Sequence, residues 1–287
     1  MTVEFTDVLP YLLLWTALGA AVFPDGRRVG TTLIALSLAA AVVAGIVAWA
    51  GLAVLALYSG ACLAAVRPQF SAVLRTLAWG TVLFLALALA THQIPWIQNV
   101  LVLDSVSVSA LAADYTLYWN YDKGFAGVVL YAVCVQPQPG AEWKRAIVAT
   151  AVVALLAMIA VGVPATAAEF VLWDPKWPGI LAVWVPANLF LTCVAEETFF
   201  RGLVQRQLGG AFRGRVPAPA LAALLVAAVA FGVAHVAGGA TYVLLATLAG
   251  IGYGAAYHLT GRVEASILVH FTLNLAHLVL FTYPFAA

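Results

Sequence analysis

Between Arg28 and Arg67 the chain has no Asp, Glu, Lys or Arg. A run of that length cannot cover a water-facing surface, and one membrane-spanning helix needs only ~20 apolar residues. The run therefore predicts a hairpin of two spans, turning near Gly51. Charge-free runs place further spans at residues 8–23, 76–92, 146–163, 218–236, 241–258 and 265–284. A long helix starts near 179 and passes through Glu196 toward Leu208, after a loop from Pro164 to Pro178.

Residues 99–123 are different. Asp104, Asp114 and Asp122 are interspersed with Ser, Tyr and Trp, which reads as a surface or re-entrant segment. Tyr115, Tyr118, Trp119 and Tyr121 suit the headgroup belt. The basic loops at Arg27/Arg28, Arg67/Arg75, Lys144/Arg145, Arg206/Arg213/Arg215 and Arg262 can all be cytoplasmic if residues 116–136 also cross. The expected fold is all-α: a polytopic transmembrane helix bundle of eight or nine spans, with no sheet.

Composition agrees with a bilayer as solvent. Hydrophobic residues make up 64% of the chain and charged residues 9%, against about 25% charged in soluble domains. A formal charge of +1 gives no sign of nucleic-acid binding. Cys62, Cys134 and Cys193 have neither metal-ligand nor redox spacing and read as buried small hydrophobes. Met1-Thr2-Val3-Glu4 lacks the basic region of a cleavable signal, so the first span is expected to be retained.

Three polar clusters stand where apolar residues would cost less. The first is Ala195-Glu196-Glu197-Thr198-Phe199-Phe200-Arg201-Gly202. An ionised residue at the centre of a span costs roughly 2.5–3.5 kcal/mol on insertion scales. Glu197 and Arg201 are four apart and can pair on one helix face. Glu196 points elsewhere and has no partner within its own helix, which suits a general base in apolar surroundings. The bland alternative is that these charges mark the wet cytoplasmic end of a span. The second cluster, Phe231-Gly232-Val233-Ala234-His235, lies in an otherwise featureless helix of Ala, Val and Leu. The third is His270-Phe271-Thr272-Leu273-Asn274, with His270 and Asn274 on one face and His277 continuing it. At about 1.5 Å per residue, the three clusters return to similar depth.

Glu-Glu-x-x-x-Arg, Phe-x-x-x-His and His-x-x-x-Asn, in that order on three C-terminal spans, resemble the CPBP family, which includes type II CAAX prenyl endopeptidases and bacteriocin-processing proteins. The resemblance covers residues 178–283 and divides the chain into N-terminal transmembrane helices with an interfacial segment (1–145) and a catalytic core (146–287). It implies a glutamate-dependent intramembrane endopeptidase without metal or other cofactor. Glu196 would activate water with help from His235, His270 and Asn274 would stabilise the oxyanion, and Glu197 and Arg201 would form a structural pair. The implied partners are the lipid bilayer and a membrane-associated peptide or protein substrate, in what reads as a bacterial inner (cytoplasmic) membrane. Substrate candidates are peptide precursors, C-terminal anchors cut in a sorting step, or membrane-protein fragments.

Two other chemistries use the same residues. Glu196, His235 and His270 are proper zinc ligands, although no local His-x-x-x-His pair supports a metal site. Intramembrane Glu and His also mark proton-coupled transporters, although no internal repeat is present. A non-catalytic membrane chaperone keeping the fold is a third reading. His92 and His258 read as interfacial or packing residues. The row Ala246, Gly250, Gly254 predicts close helix contact.

Overall fold

A computed structural model of the chain describes residues 5–135 and 143–286; Met1–Glu4, on which the reading of the N-terminus falls, lie outside them. The described residues are overwhelmingly helical. Among the described residues, five helices are long and apolar enough to cross a membrane: α3 (Trp49–Val66), α4 (Ala72–Ala90), α6 (Trp143–Ala167), α11 (Gly239–Thr260) and α12 (Val263–Leu280). Two apolar helices are shorter, α1 (Phe5–Ala21) and α10 (Pro219–Val233). Along α6, Ile147, Val148, Val152, Leu155, Leu156 and Ile159 are each more than half exposed. A continuous apolar stripe of this kind is solvated by lipid, not water. This is an integral membrane protein.

The chain divides into two compact units, each assembled from separate stretches of sequence. The first comprises Met1–Val102, Leu117–Pro137 and Phe190–Phe199. Its centre is α5 (Tyr121–Cys134), nearly every residue of which is buried. Polar groups here are spent on backbone carbonyls: the Tyr11 hydroxyl donates to Trp119 at 2.7 Å, Tyr58 to Ala126 at 3.0 Å and Ser37 to Pro10 at 2.6 Å. Buried hydroxyls need such partners. Gly124 and Gly127 let the 190–199 segment lie directly on α5. A Cβ at Gly127 would fall 2.5 Å from the Ala195 Cα, and one at Gly124 would collide with Leu191.

The second unit comprises Leu103–Thr116, Gln138–Leu189 and Phe200–Ala287. In it α6 packs on α11 and α12, and α10 packs on α11 and on α9 (Arg206–Phe212). The expected small-residue contact is present. A Cβ at Gly250 would lie 3.2 Å from the Ala228 Cα, and one at Gly254 would lie 2.9 Å from Leu224. Ser266 ties α12 to α11 by donating to the Tyr253 carbonyl at 2.7 Å.

Several expectations are corrected. The segment read as surface or re-entrant contains two paired strands, β1 (Val100–Val106) and β2 (Tyr115–Trp119), so the expectation of no sheet fails. Its Val, Thr, Tyr and Trp content is that of strand formers. The turn after α2 (Arg27–Val43) falls at Gly45, which takes the left-handed φ of 74° that glycine tolerates best. Gly51 is instead a packing glycine, where a Cβ would meet the Trp96 carbonyl at 2.7 Å. The segment from Pro164 begins as helix, since α6 runs on to Ala167. Cys62, Cys134 and Cys193 are buried, as read.

Candidate active site

The helical run that carries the Glu doublet is not uniform. It opens as α7 (Leu181–Pro186), widens into a π-helical stretch (Ala187–Cys193), returns to α for one turn as α8 (Val194–Glu197), and widens again (Thr198–Gln205). π-helical turns inside α-helices gather at functional sites because they turn side chains off the regular register. Glu196 and Glu197 occupy the short α turn between two of them.

In the first unit Glu196 accepts a hydrogen bond from the Lys123 ammonium at 2.6 Å. Both side chains are largely buried, at 15% and 14% exposed for Lys123 and Glu196. The adjacent Asp122 is almost wholly buried and fixes the start of α5. Its Oδ1 accepts from the Lys123 backbone amide at 2.7 Å, and its Oδ2 contacts His92 Nδ1 at 2.9 Å. His92 is thus the ring that holds Asp122, a more specific role than interfacial packing. Glu197 and Arg201 are both fully buried.

The second unit arranges its polar residues around one aromatic ring. Phe231 lies 4.7 Å from the His235 ring centroid and 5.7 Å from that of His270. It also takes the Arg201 guanidinium at 5.6 Å, as Tyr253 does at 5.9 Å and Phe200 at 6.0 Å. These are cation–π distances. Tyr253 stacks on His270 at 4.4 Å, nearly parallel. Tertiary packing therefore brings His235 and His270 to a shared neighbour, and Asn274 lies one turn beyond His270 on α12.

His235 is not mid-helix. The α10 helix ends at Val233, and a short turn, closed by Gly239 at φ 85°, leads into α11. The histidine sits in that turn and is half-buried. Its Nδ1 lies 2.7 Å from the Phe231 carbonyl. A carbonyl can only accept, so Nδ1 carries the hydrogen and the neutral ring keeps its basic lone pair on Nε2. Asn274 donates to the Asn188 side-chain carbonyl at 3.2 Å. Sequence reasoning passed over Asn188 and Lys123. Asn188 had a signal, being an amide inside the charge-free run before Glu196, whereas Lys123 sat in a segment read as interfacial.

His277 has a structural role, with Nε2 3.2 Å from the Thr282 carbonyl. Among the described residues, no three His, Cys, Asp or Glu side chains come together in an arrangement that could hold a metal ion.

Residues 177–276 match the family model described as Type II CAAX prenyl endopeptidase Rce1-like. The match spans about a third of the chain and is what this segment is similar to. No curated protein and no solved structure matches the chain. The matched segment contains Glu196, Glu197, Arg201, His235, His270 and Asn274, and leaves Lys123 outside. The match is consistent with an intramembrane protease of the CPBP type.

Proposed function

We propose that this protein is a glutamic-type intramembrane endopeptidase whose catalytic core is residues 146–287. Its substrate is a membrane-associated peptide or protein. In the proposed reaction Glu196 takes a proton from water as the water oxygen bonds to the scissile carbonyl carbon, with His235 Nε2 assisting. His270 and Asn274 stabilise the resulting oxyanion, where preorganised donors contribute most. The C–N bond then breaks, and the proton held by Glu196 passes to the leaving amine. Glu197 and Arg201 are assigned a structural role, supported by their complete burial and their spacing of four.

The observation that carries this reading is the coincidence of the Rce1-like match with all six motif residues in order. The Nδ1 bond of His235, which leaves Nε2 as the basic atom, supports its assignment. The remaining crossings of the proposed eight or nine come from among the shorter helices α1, α2, α5 and α10 and the 181–212 run, in a bacterial inner membrane.

The test is cleavage of a pooled set of membrane-anchored peptides by purified protein in vesicles, read by mass spectrometry. Wild type should cut a subset with or without a strong chelator, and Glu196→Gln should cut none while remaining folded. Loss of activity on chelation, restored by zinc, would replace the glutamate mechanism with a metal one.

A further inference from the structure

We propose that Lys123 is a positioning residue for Glu196: its ammonium balances the charge of the carboxylate and aims it at the attacking water. The inference rests on the reading above and deepens it. With neutral histidines, Glu196, Glu197 and Arg201 sum to −1, a charge that is costly to hold in apolar surroundings. Lys123 brings the sum of these four residues to zero, while the buried Asp122 beside it is held by His92. The contact at 2.6 Å is short and charge-assisted, and both side chains are mostly withdrawn from solvent.

The approach is built by packing around the pair. Gly127 has a hydrogen where a Cβ would strike Ala195, the residue before Glu196. Lys123 lies one helical turn before Gly127 on the same face of α5, which sets it level with Glu196. Asp122 pins the first turn of α5 through the Lys123 amide and His92. The lysine is thus delivered by a segment outside the Rce1-like match, from a helix 73 residues earlier in the chain.

Lys123 exchanges no proton in this scheme. Water loses a proton to Glu196 as the O–C bond forms, and that proton leaves with the amine as the C–N bond breaks. The ammonium attracts the ionised carboxylate more than the neutral acid. It therefore holds Glu196 in place before attack and favours restoring the carboxylate afterwards.

The experiment uses the full-length chain in vesicles with the membrane-anchored peptide pool. Lys123→Met should lower kcat by about tenfold or more with KM within about twofold, while Lys123→Arg retains most activity. Lys123→Cys should be inactive until alkylated with 2-bromoethylamine, which rebuilds an ammonium of similar reach. Mass spectrometry confirms the added group, and the three buried native cysteines make treated wild type the control. A melting-temperature cycle gives a second readout: Lys123→Met should destabilise wild type but have little effect in a Glu196→Gln background. Wild-type kcat in Lys123→Met, an alkylated Lys123→Cys that stays inactive, or equal destabilisation in both backgrounds overturns the proposal. The glutamate reading fails separately, by cleavage with Glu196→Gln.

Discussion

Tyr253 lies flat against the His270 imidazole, with ring centroids 4.4 Å apart and planes 13° from parallel. The same tyrosine ring is 5.9 Å from the Arg201 guanidinium. One residue of α11 therefore links the buried cation of the Glu-Glu-x-x-x-Arg cluster to the first histidine of α12. A stacked plate fixes the plane of the imidazole, and the oxyanion donor proposed at His270 must be held in plane to be useful. Tyr253→Phe keeps the plate and should keep activity. Tyr253→Leu should lower kcat about tenfold, the scale expected when a catalytic group loses its orientation. Steady-state kinetics with a melting curve for each variant separates this from unfolding.

The two carboxylates of the doublet should respond differently to neutralisation. Glu197 is fully buried, whereas Glu196 retains 14% exposure. Breaking a buried pair by removing one partner costs about 3–5 kcal/mol, and Glu197 with Arg201 is the pair proposed above. Glu197→Gln should therefore lower the melting temperature, and by more than Glu196→Gln, because Glu196 and its partner Lys123 both keep some contact with solvent. The reverse order would remove Glu197 from its structural role.

Glycine substitutions should divide by location. At Gly127 any side chain meets the Ala195 backbone, so Gly127→Val should prevent the close approach of α5 and mimic the kinetic defect of Lys123→Met. At Gly80, in α4, nothing lies within 4 Å of a new Cβ. Gly80→Ala should be neutral or stabilise by up to about 1 kcal/mol through helix propensity. Thermal unfolding of both variants checks the contrast.

A pH effect is expected in the loop after α6. The Ser109 hydroxyl, and after it Lys176, hold the Asp174 carboxyl below its ordinary value. Lys176 also bonds the Phe281 carbonyl, so the loop and the end of α12 share one cation. A depressed carboxyl pKa contributes stability that is complete above the unfolded value of about 3.9 and is lost as pH falls through the folded value. Asp174 is partly exposed, so the effect is small, below about 1 kcal/mol. Amide exchange in residues 172–176 and 281–286 should rise below that pH in wild type and be insensitive to it in Asp174→Asn.

Much of this was legible along the chain. The spans could be read because a bilayer rejects charge, and Arg28, Arg67, Arg215 and Arg262 bracket the apolar runs. The order Glu196, His235, His270, Asn274 was equally plain, since polar residues are conspicuous among Ala, Val and Leu. Span ends were less legible. Gly45 and Gly51 are both possible turn glycines, and only the packing of Gly51 against Trp96 assigns the turn to Gly45. The strands at 100–119 escaped notice because short aromatic segments near a membrane suit a headgroup belt and a hairpin alike.

By itself, the sequence determined the solvent of this protein, its helical class and the residue types brought to its chemistry. Those follow from hydropathy and short spacing, which are local properties of the chain. Only the tertiary structure decided that Lys123 meets Glu196, that Tyr253 faces His270, that Asn188 holds Asn274, and that His235 lies in a turn. The three pairings join residues of different helical segments, and the turn is closed by Gly239 with its positive φ. The approach of Lys123 to Glu196 depends on how closely backbones meet at Gly127, a distance set by packing and not by any period in the sequence.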